Sequence, residues 1–262
     1  MKSIVIAITF SITLASCTPG KMSVSEELKS QHDEYAVKGR NGTRINQKLS
    51  FGEYVTTEIK RSWTKGNSFR SGIGYSTAQQ EWVNIISTEY INRKQTIRFS
   101  LAGGKHHSEV FCVSRFNAKD LEIGKNPNSV LNIGMDILGI GGHSSSTYYV
   151  QVFASEKDDR PWEMVIDNQL SQARPKEYIG YLAKSQTEYY SIIPVTRMEK
   201  NGKSGNILVG SIGFEFHDPQ GRAVAAVSFI EKGMVFLGRS NPEERFLLAN
   251  ACTALLLQDI IE

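Results

Sequence analysis

Residues 241–257 decide the fold of this chain, and they read NPEERFLLANACTALLL. The first four, Asn-Pro-Glu-Glu, are a helix start: an N-cap amide, a proline whose missing N–H costs nothing in the first turn, and two acids at the positive end of the helix dipole. From Phe246 onward, apolar residues occupy nearly every face, and a helix of that kind must be surrounded by protein. Asn250 and Thr253 make the run a poor membrane span. We predict a helix over 242–261 that the rest of the domain encloses or packs on.

The chain before this helix has the pattern of β-strands. Short segments rich in β-branched and aromatic residues follow one another from Leu49, separated by Gly, Asn, Asp and Ser. Three pairs of segments are typical of hairpins, and their period-two alternation predicts sheets with one buried side. The pairs are 96–101 with 109–113, 148–154 with 162–166, and 212–216 with 223–229. We predict a mainly β fold, an antiparallel β-barrel with one C-terminal hydrophobic helix; the alternative is a β-sandwich with a terminal packing helix.

The last of these hairpins carries a family resemblance. It contains the pattern Phe-x-Phe-x-Asp-x-x-Gly over 214–221, then a strand ending in Val-Phe-Leu at 235–237, and then the helix. This order resembles the end of tubby-like C-terminal domains, a family that includes the LURP-one-related proteins of plants and the phospholipid scramblases. The resemblance implies a closed barrel of about a dozen strands threaded by the helix. It also implies recognition of phospholipid head groups by basic residues, for which Lys60, Arg61, Arg93 and Arg115 are candidates on strand-like segments.

A second resemblance lies near the N-terminus. Lys2 supplies a positive charge, residues 4–14 are almost wholly apolar, and Leu14-Ala15-Ser16-Cys17 follows. This layout resembles the signal peptide and lipobox of bacterial lipoproteins, with Leu14, Ala15 and Ser16 as the signal peptidase recognition residues. It implies cleavage after Ser16, a diacylglyceryl thioether on Cys17 and acylation of the freed amine, for example by palmitate. Two or three acyl chains hold a protein firmly on a membrane.

The lipobox predicts an address in the cell envelope. The chain is then expected to bind a membrane through its lipid anchor. An envelope protein or a lipid ligand is a further candidate partner. Thr18 follows the cysteine, rather than the Asp that retains lipoproteins in the inner membrane of enteric bacteria. We therefore expect the outer membrane rather than the inner one in a bacterium that has both.

Charge and composition divide the rest of the chain. The net charge of +3 falls to +2 without Lys2, which is too small to suggest nucleic-acid binding. Residues 17–42 are polar and predict a lipid-anchored tether, with Ser23-x-x-Glu26 as a capping box and a frayed helix through Lys38, that holds the folded part off the membrane. Residues 43–262 predict a single β-rich globular domain.

Two cysteines remain besides Cys17. Cys112 and Cys252 lie on apolar segments, and an oxidising compartment permits a disulfide between them. Two separate buried thiols are the alternative that such wide spacing favours. Neither cysteine has the neighbours that a structural zinc site needs.

Catalytic patterns are weak throughout the chain. Residues 142–146 read Gly-His-Ser-Ser-Ser, which lacks the final glycine of a nucleophile elbow and precedes a strand instead of a helix. His107 and Glu109 can share one face of a strand, but two ligands are too few for a metal. Trp63, Trp82 and Trp162 favour core or rim packing over a stacking site. We expect no enzyme activity, metal or cofactor, and a binding or scaffolding role; an envelope hydrolase using His143 or His107 is the last alternative.

Overall fold

The computed structural model describes residues 20–40, 48–62, 95–116, 147–155 and 160–258. These residues form short and long strands with three helices, α1 (Glu26–Ser30), α2 (Asn168–Ala173) and α3 (Pro242–Leu257). The strands are β1 (Lys21–Met22), β2 (His32–Ala36), β3 (Ser50–Phe51), β4 (Tyr54–Ser62), β5 (Gln95–Gly103), β6 (His106–Phe116), β7 (Thr147–Phe153), β8 (Trp162–Asp167), β9 (Gly180–Ala183), β10 (Tyr189–Val195), β11 (Arg197–Lys200), β12 (Lys203–Asn206), β13 (Gly213–His217), β14 (Ala223–Ser228) and β15 (Met234–Gly238).

Twelve strands form one antiparallel sheet that curls into a nearly closed barrel. Their order is β2-β15-β14-β13-β10-β9-β8-β7-β6-β5-β4-β3. The two edges meet at Lys38 and Ser50, where each backbone N–H donates to the other residue's carbonyl at 2.9 and 3.1 Å. The predicted mainly β barrel is therefore confirmed, and the sandwich alternative is not what the chain adopts.

The three predicted hairpins are present. They are the antiparallel pairs β5–β6, β7–β8 and β13–β14. Each uses the alternation read from the sequence, since Ile97, Phe99 and Leu101 of β5 all face the core. The turn predicted at residues 157–159 lies outside the described residues.

Helix α3 lies inside the barrel. Every residue from Phe246 to Leu257 is buried, none with more than 4 % of its surface exposed. The helix contacts β5, β6 and β7 on one side and β14 and β15 on another, so sheet surrounds it. It ends at Leu257, with Gln258 as its C-cap, and the residues from 259 onward that were predicted to continue it lie outside the described residues.

The polar groups of this buried helix are satisfied. Asn241 caps its start, since the side-chain oxygen accepts from the Glu244 N–H at 2.8 Å. Halfway along, the Ser108 hydroxyl donates to Asn250 Oδ1 at 2.6 Å. At its end, guanidinium groups donate to the last carbonyls: Arg40 to Leu256 at 3.1 Å and Arg61 to Leu257 at 3.0 Å. These cations lie at the negative end of the helix dipole.

The predicted tether is wrong for residues 21–38, which belong to the folded domain. β1 pairs with β11, and β2 pairs with β15 as a full strand of the barrel. The intervening segment buries Met22, Val24 and Leu28 against the outside of β14 and β15. Three apolar side chains are enough to hold this segment on the barrel, because they pack against an apolar surface on the outside of β14 and β15. Composition alone could not reveal that surface.

The start of α1 also differs from the prediction. The helix begins at Glu26 with Ser25 as N-cap and ends at Ser30, and the Ser25 side chain makes no capping bond. Instead, the Ser25 N–H donates to the carboxylate of Glu215 on β13 at 2.6 Å. The predicted capping box is therefore replaced by a long-range cap, and the chain continues as β2 rather than as a frayed helix.

The expectation of one buried side is wrong for β5–β8. Their outward-facing residues are buried too, as Arg98, Tyr149 and Glu163 are 4 %, 3 % and 4 % exposed. Polar pairing makes this possible: the Tyr149 hydroxyl donates to Glu163 at 2.5 Å, and Ser100 donates to Glu109 at 2.5 Å. This side of the barrel is thus covered on both faces.

The two ends of the barrel differ, and we name them by α3. The helix-start rim is the end at which α3 begins, and it includes the β9–β10 turn at residues 184–188. The helix-end rim is the end at which α3 finishes. Among the described residues, we count in it residues 167–180, 196–212 and 228–234, which join or extend β8, β9, β10, β13, β14 and β15 at that end. We also count residues 20–23, which pair with residues 197–199. The small sheet β1-β11-β12 belongs to it.

Candidate binding site at the helix-end rim

A pocket of about 490 Å³ lies at the helix-end rim, and we call it the rim pocket. Three segments build it: residues 20–22 at the start of β1, residues 36–37 at the end of β2, and the turn at 230–233 that leads into β15. Met22, Phe236 and Val37 supply apolar surface, while Lys21, Lys232 and Glu231 supply charge. The pocket exists only because β1 adds to the small sheet beside the barrel.

The turn that forms one wall of the pocket has a fixed shape. The Gly233 N–H donates to the Ile230 carbonyl at 2.9 Å, which closes the turn. Glu231 has φ +54°, a left-handed conformation that costs free energy for a residue other than glycine. Gly233 has φ +99°, and a Cβ there would come within 2.6 Å of Leu256 on α3. The end of the enclosed helix therefore sets the position of the pocket wall.

The charges of the rim pocket are unevenly engaged. Lys21 forms an ion pair with Glu34 at 3.2 Å, with both side chains exposed. Lys232 is exposed and has no ion pair among the described residues. An apolar surface next to an available ammonium group suits an amphiphile with an acidic group.

The rim around the pocket is basic. Its segments hold seven Lys and Arg residues against four Asp and Glu residues, one of which, Asp167, is buried. All seven cationic side chains are exposed. They are Lys21, Arg174, Lys176, Arg197, Lys200, Lys203 and Lys232.

Basic residues nominated from the sequence do not form a second cluster in the described part of the chain. Lys60 and Arg61 are neighbours on β4, so they point to opposite faces. Arg61 turns inward to α3, whereas Lys60 is exposed. Arg93 lies outside the described residues, and only the backbone of Arg115 is described. Sequence reasoning missed the rim cations because only the topology brings their four segments together.

The interior of the barrel is filled by α3 and holds both nominated cysteines. Cys112 and Cys252 are free, buried thiols, so the structure shows the unpaired alternative. Burial raises the pKa of the Cys112 thiol to about 12, and burial raises the pKa of Cys252 as well. The Cys252 sulfur faces the Ala226 carbonyl on β14, at 3.9 Å, while Cys112 lies on β6.

The histidine candidates do not assemble a catalytic or metal centre in the described residues. His107 and Glu109 do share a face, with His107 Nε2 3.7 Å from Glu109 Oε1. The same carboxylate is engaged by Arg98 at 3.4 Å and by Ser100. No group of three or more His, Cys, Asp or Glu side chains that could hold a metal occurs in that part of the chain. His143 lies outside it.

Other nominated residues lie outside the described ranges. These include the lipobox and two of the tryptophans; Trp162, which is described, packs on Tyr190 with ring centroids 5.8 Å apart. No helix in the described ranges is long and apolar enough to cross a membrane. The residues outside are Leu14, Ala15, Ser16, Cys17, Trp63 and Trp82.

Fold and site together define a class: an antiparallel barrel filled by its own C-terminal helix, with a basic rim and a pocket beside the barrel. Comparison with protein-family models, with curated proteins and with solved structures gives no match to this chain. The barrel and its helix agree with what the tubby-like resemblance implies about the fold. Membership of that family and of the lipoproteins stays a prediction.

Proposed function

We propose that this chain is a lipid-anchored protein of the bacterial cell envelope whose β domain binds or scaffolds and does not catalyse. The observation that supports this most strongly joins sequence and structure. The lipobox cysteine is residue 17, and the described residues begin at Gly20, directly before β1. Three residues span at most about 11 Å. Acyl chains on Cys17 would therefore bring the helix-end rim directly against the bilayer.

The position of the rim pocket supports a binding role. Helix α3 occupies the space that the described strands enclose, and its residues from Phe246 to Leu257 are buried there. The rim pocket, in contrast, opens beside the proposed anchor. Its apolar walls and the ammonium group of Lys232 suit an amphiphile that carries an acidic group.

Recognition of anionic phospholipid head groups is the second candidate function. The seven exposed cations of the helix-end rim favour it, since polybasic surfaces contribute about 1 kcal/mol per Lys or Arg near an anionic membrane. A triple charge reversal, Lys200→Glu, Lys203→Glu and Lys232→Glu, should reduce retention on phosphatidylglycerol vesicles several-fold at low salt. Arg239→Glu at the helix-start rim is the control. Equal loss in both variants would contradict a head-group surface at the helix-end rim.

An envelope hydrolase is the remaining alternative. It draws on His143, which lies outside the described residues, and on His107, whose carboxylate neighbour is engaged by Arg98 and Ser100. The described geometry offers it no support beyond that pair.

The anchor is tested by expressing the full-length precursor and its Cys17→Ser variant in a bacterium that processes lipoproteins. Cell fractionation should recover the wild type with membranes, and with the outer membrane where there are two. Cys17→Ser should be lost from the membrane fraction and from labelling with radioactive palmitate. Cys112→Ser is the matched control, because it removes a buried thiol and should change neither result. A wild-type chain that is soluble and unlabelled would refute the proposal.

A further inference from the structure

Two aliphatic side chains are fully displayed to solvent on the loop between β12 and β13. Leu208 is 101 % exposed relative to its reference state and Val209 is 85 % exposed. Isolated exposed apolar residues are ordinary on protein surfaces, but an adjacent pair with no covering contact is a candidate for an interaction site.

Hydrogen bonds hold the loop at both ends, so the exposure of Leu208 and Val209 is a feature of the fold. On one side, the Ile207 N–H donates to the Thr196 carbonyl at 2.8 Å. On the other, the Ser211 N–H donates to Gln172 Oε1 at 2.9 Å, and Gln172 Nε2 donates back to the Ser211 hydroxyl at 2.9 Å. Gly210 has φ +78°, and a Cβ there would collide with that Gln172 oxygen. Leu208 and Val209 lie at the apex between these anchor points.

The loop belongs to the same small sheet as the proposed anchor. β1 pairs with one edge of β11 and β12 with the other, and Lys21 lies opposite Glu199 while Asn206 lies opposite Arg197. Strand spacings of about 4.8 Å and rises of about 3.4 Å per residue put the loop roughly 15–20 Å from Gly20. Both features can therefore touch one flat surface.

Charge around the loop favours a membrane as that surface. The exposed Arg197, Lys200 and Lys203 lie on the strands that lead to the loop, and Arg174 and Lys176 follow α2, to which the loop is bonded. A cationic surround with an aliphatic tip suits the head-group region of an anionic bilayer. A stable protein partner or second copy needs about 800 Å² per side, which two side chains do not provide.

We propose that Leu208 and Val209 form a second membrane contact, inserting at the head-group and acyl-chain boundary of the bilayer while the surrounding cations meet its anionic lipids. This rests on the proposed function, because the anchor brings the sheet to the membrane. The contact sets the orientation of the domain on the membrane: the helix-end rim faces the bilayer and the helix-start rim faces away from it.

Depth-dependent quenching tests the contact in the acylated protein. Leu208→Cys is labelled with a polarity-sensitive fluorophore and reconstituted in vesicles of phosphatidylglycerol and phosphatidylcholine that contain nitroxide lipids. Gln186→Cys, exposed in the β9–β10 turn at the helix-start rim, is the matched control. Cys112 and Cys252 should not label, since both are buried. We expect a blue shift and strong quenching at 208, and neither at 186.

A second measurement separates this contact from the anchor. Unacylated mature chain carrying Cys17→Ser is sedimented with the same vesicles, with and without Leu208→Asp and Val209→Asp. Retention should fall at least about tenfold, against less than about threefold for the control pair Ser204→Asp and Asn206→Asp on the same hairpin.

The outcomes are distinct. An acylated, vesicle-bound protein without quenching at 208 overturns the second contact and leaves the anchor standing. A fluorescence change that appears without lipid and grows with protein concentration also overturns it, in favour of self-association. Unmodified Cys17 together with loop-dependent retention would overturn the anchor and keep the contact.

Discussion

Leu255 and Leu208 show how differently one residue type is used in two regions of this molecule. Leu255 lies in the enclosed helix with none of its surface exposed, whereas Leu208 projects from the helix-end rim with all of it exposed. The helix region is specified by its own sequence, because an all-round apolar helix has no other stable place. The rim is specified by topology, which gathers charged and apolar residues from four distant segments.

The largest expected effect sharpens this comparison directly. Leu255→Ala removes buried methylene groups and leaves a cavity inside the barrel, so the free energy of unfolding should fall by about 3–5 kcal/mol. Leu208→Ala should change it by less than about 0.5 kcal/mol. Urea denaturation of the unacylated mature chain measures both. Similar losses of unfolding free energy in the two variants would mean that α3 is not enclosed or that the side chain of Leu208 is not exposed.

A smaller effect is expected where the N-terminal segment meets the outside of the barrel. Leu28 is 1 % exposed in the cluster with Val24 and Phe236, so Leu28→Ala should cost about 2–3 kcal/mol. Because this cluster is a satellite of the main core, the loss should appear first as local opening. Limited proteolysis should cut within residues 20–31 while α3 stays protected.

The control for this prediction is an exposed residue on the same helix. Lys29→Ala removes only surface ion pairs with Glu26 and Glu199, and it should leave the proteolysis pattern unchanged. Uniform cleavage across the barrel in Leu28→Ala would contradict a separate cluster.

The smallest effect is pH-dependent and concerns the link between α1 and the barrel. Burial is the largest single effect and lowers the pKa of His217. The hydrogen bond with Glu215 at 3.2 Å, the hydrogen bond with the Gly221 carbonyl at 3.0 Å and the charges of Glu215 and Glu27 together outweigh burial, so the pKa is raised above 6.5. A raised pKa means that the protonated form stabilises the fold. The contribution is complete below about pH 6.5 and is lost as the pH rises through the folded-state value.

Comparing His217→Gln with the wild type measures this link. The wild type should exceed the variant in free energy of unfolding by up to about 1 kcal/mol more at pH 5.5 than at pH 8.5. In a Glu215→Gln background this pH dependence should weaken, because only the Gly221 carbonyl and the charge of Glu27 then oppose the effect of burial. A difference that grows with pH would contradict the assigned partner.

The sequence predicted the parts of the fold that local chemistry controls. Asn241 and Pro242 predicted the start of α3, and the apolar run after them predicted that the helix is enclosed. The alternation of apolar and polar residues predicted the three hairpins. Asn201-Gly202 is a further local signal, because it is the preferred pair for a two-residue hairpin. Both residues have positive φ, 53° and 72°, in the β11–β12 turn.

What the sequence could not predict depends on distant partners. Residues 21–38 are so polar that the sequence predicted a tether rather than folded structure. The surface that buries Leu28 belongs to β14 and β15, some 200 residues further along the chain, so local composition could not reveal it. The rim pocket depends on the same docking, as does the gathering of Lys21 with Lys232. The face of β5–β8 that was expected to meet solvent is buried, and polar groups such as Arg98 and Glu109 are satisfied there by pairing with each other.

The account depends most on acylation beside an already folded domain, and mass spectrometry of the N-terminal peptide of the membrane-extracted mature protein tests it most directly. We predict that the first residue is Cys17, carrying a diacylglyceryl thioether and an amide-linked acyl chain. A free Cys17 thiol, or an N-terminus at any other residue, would contradict the account.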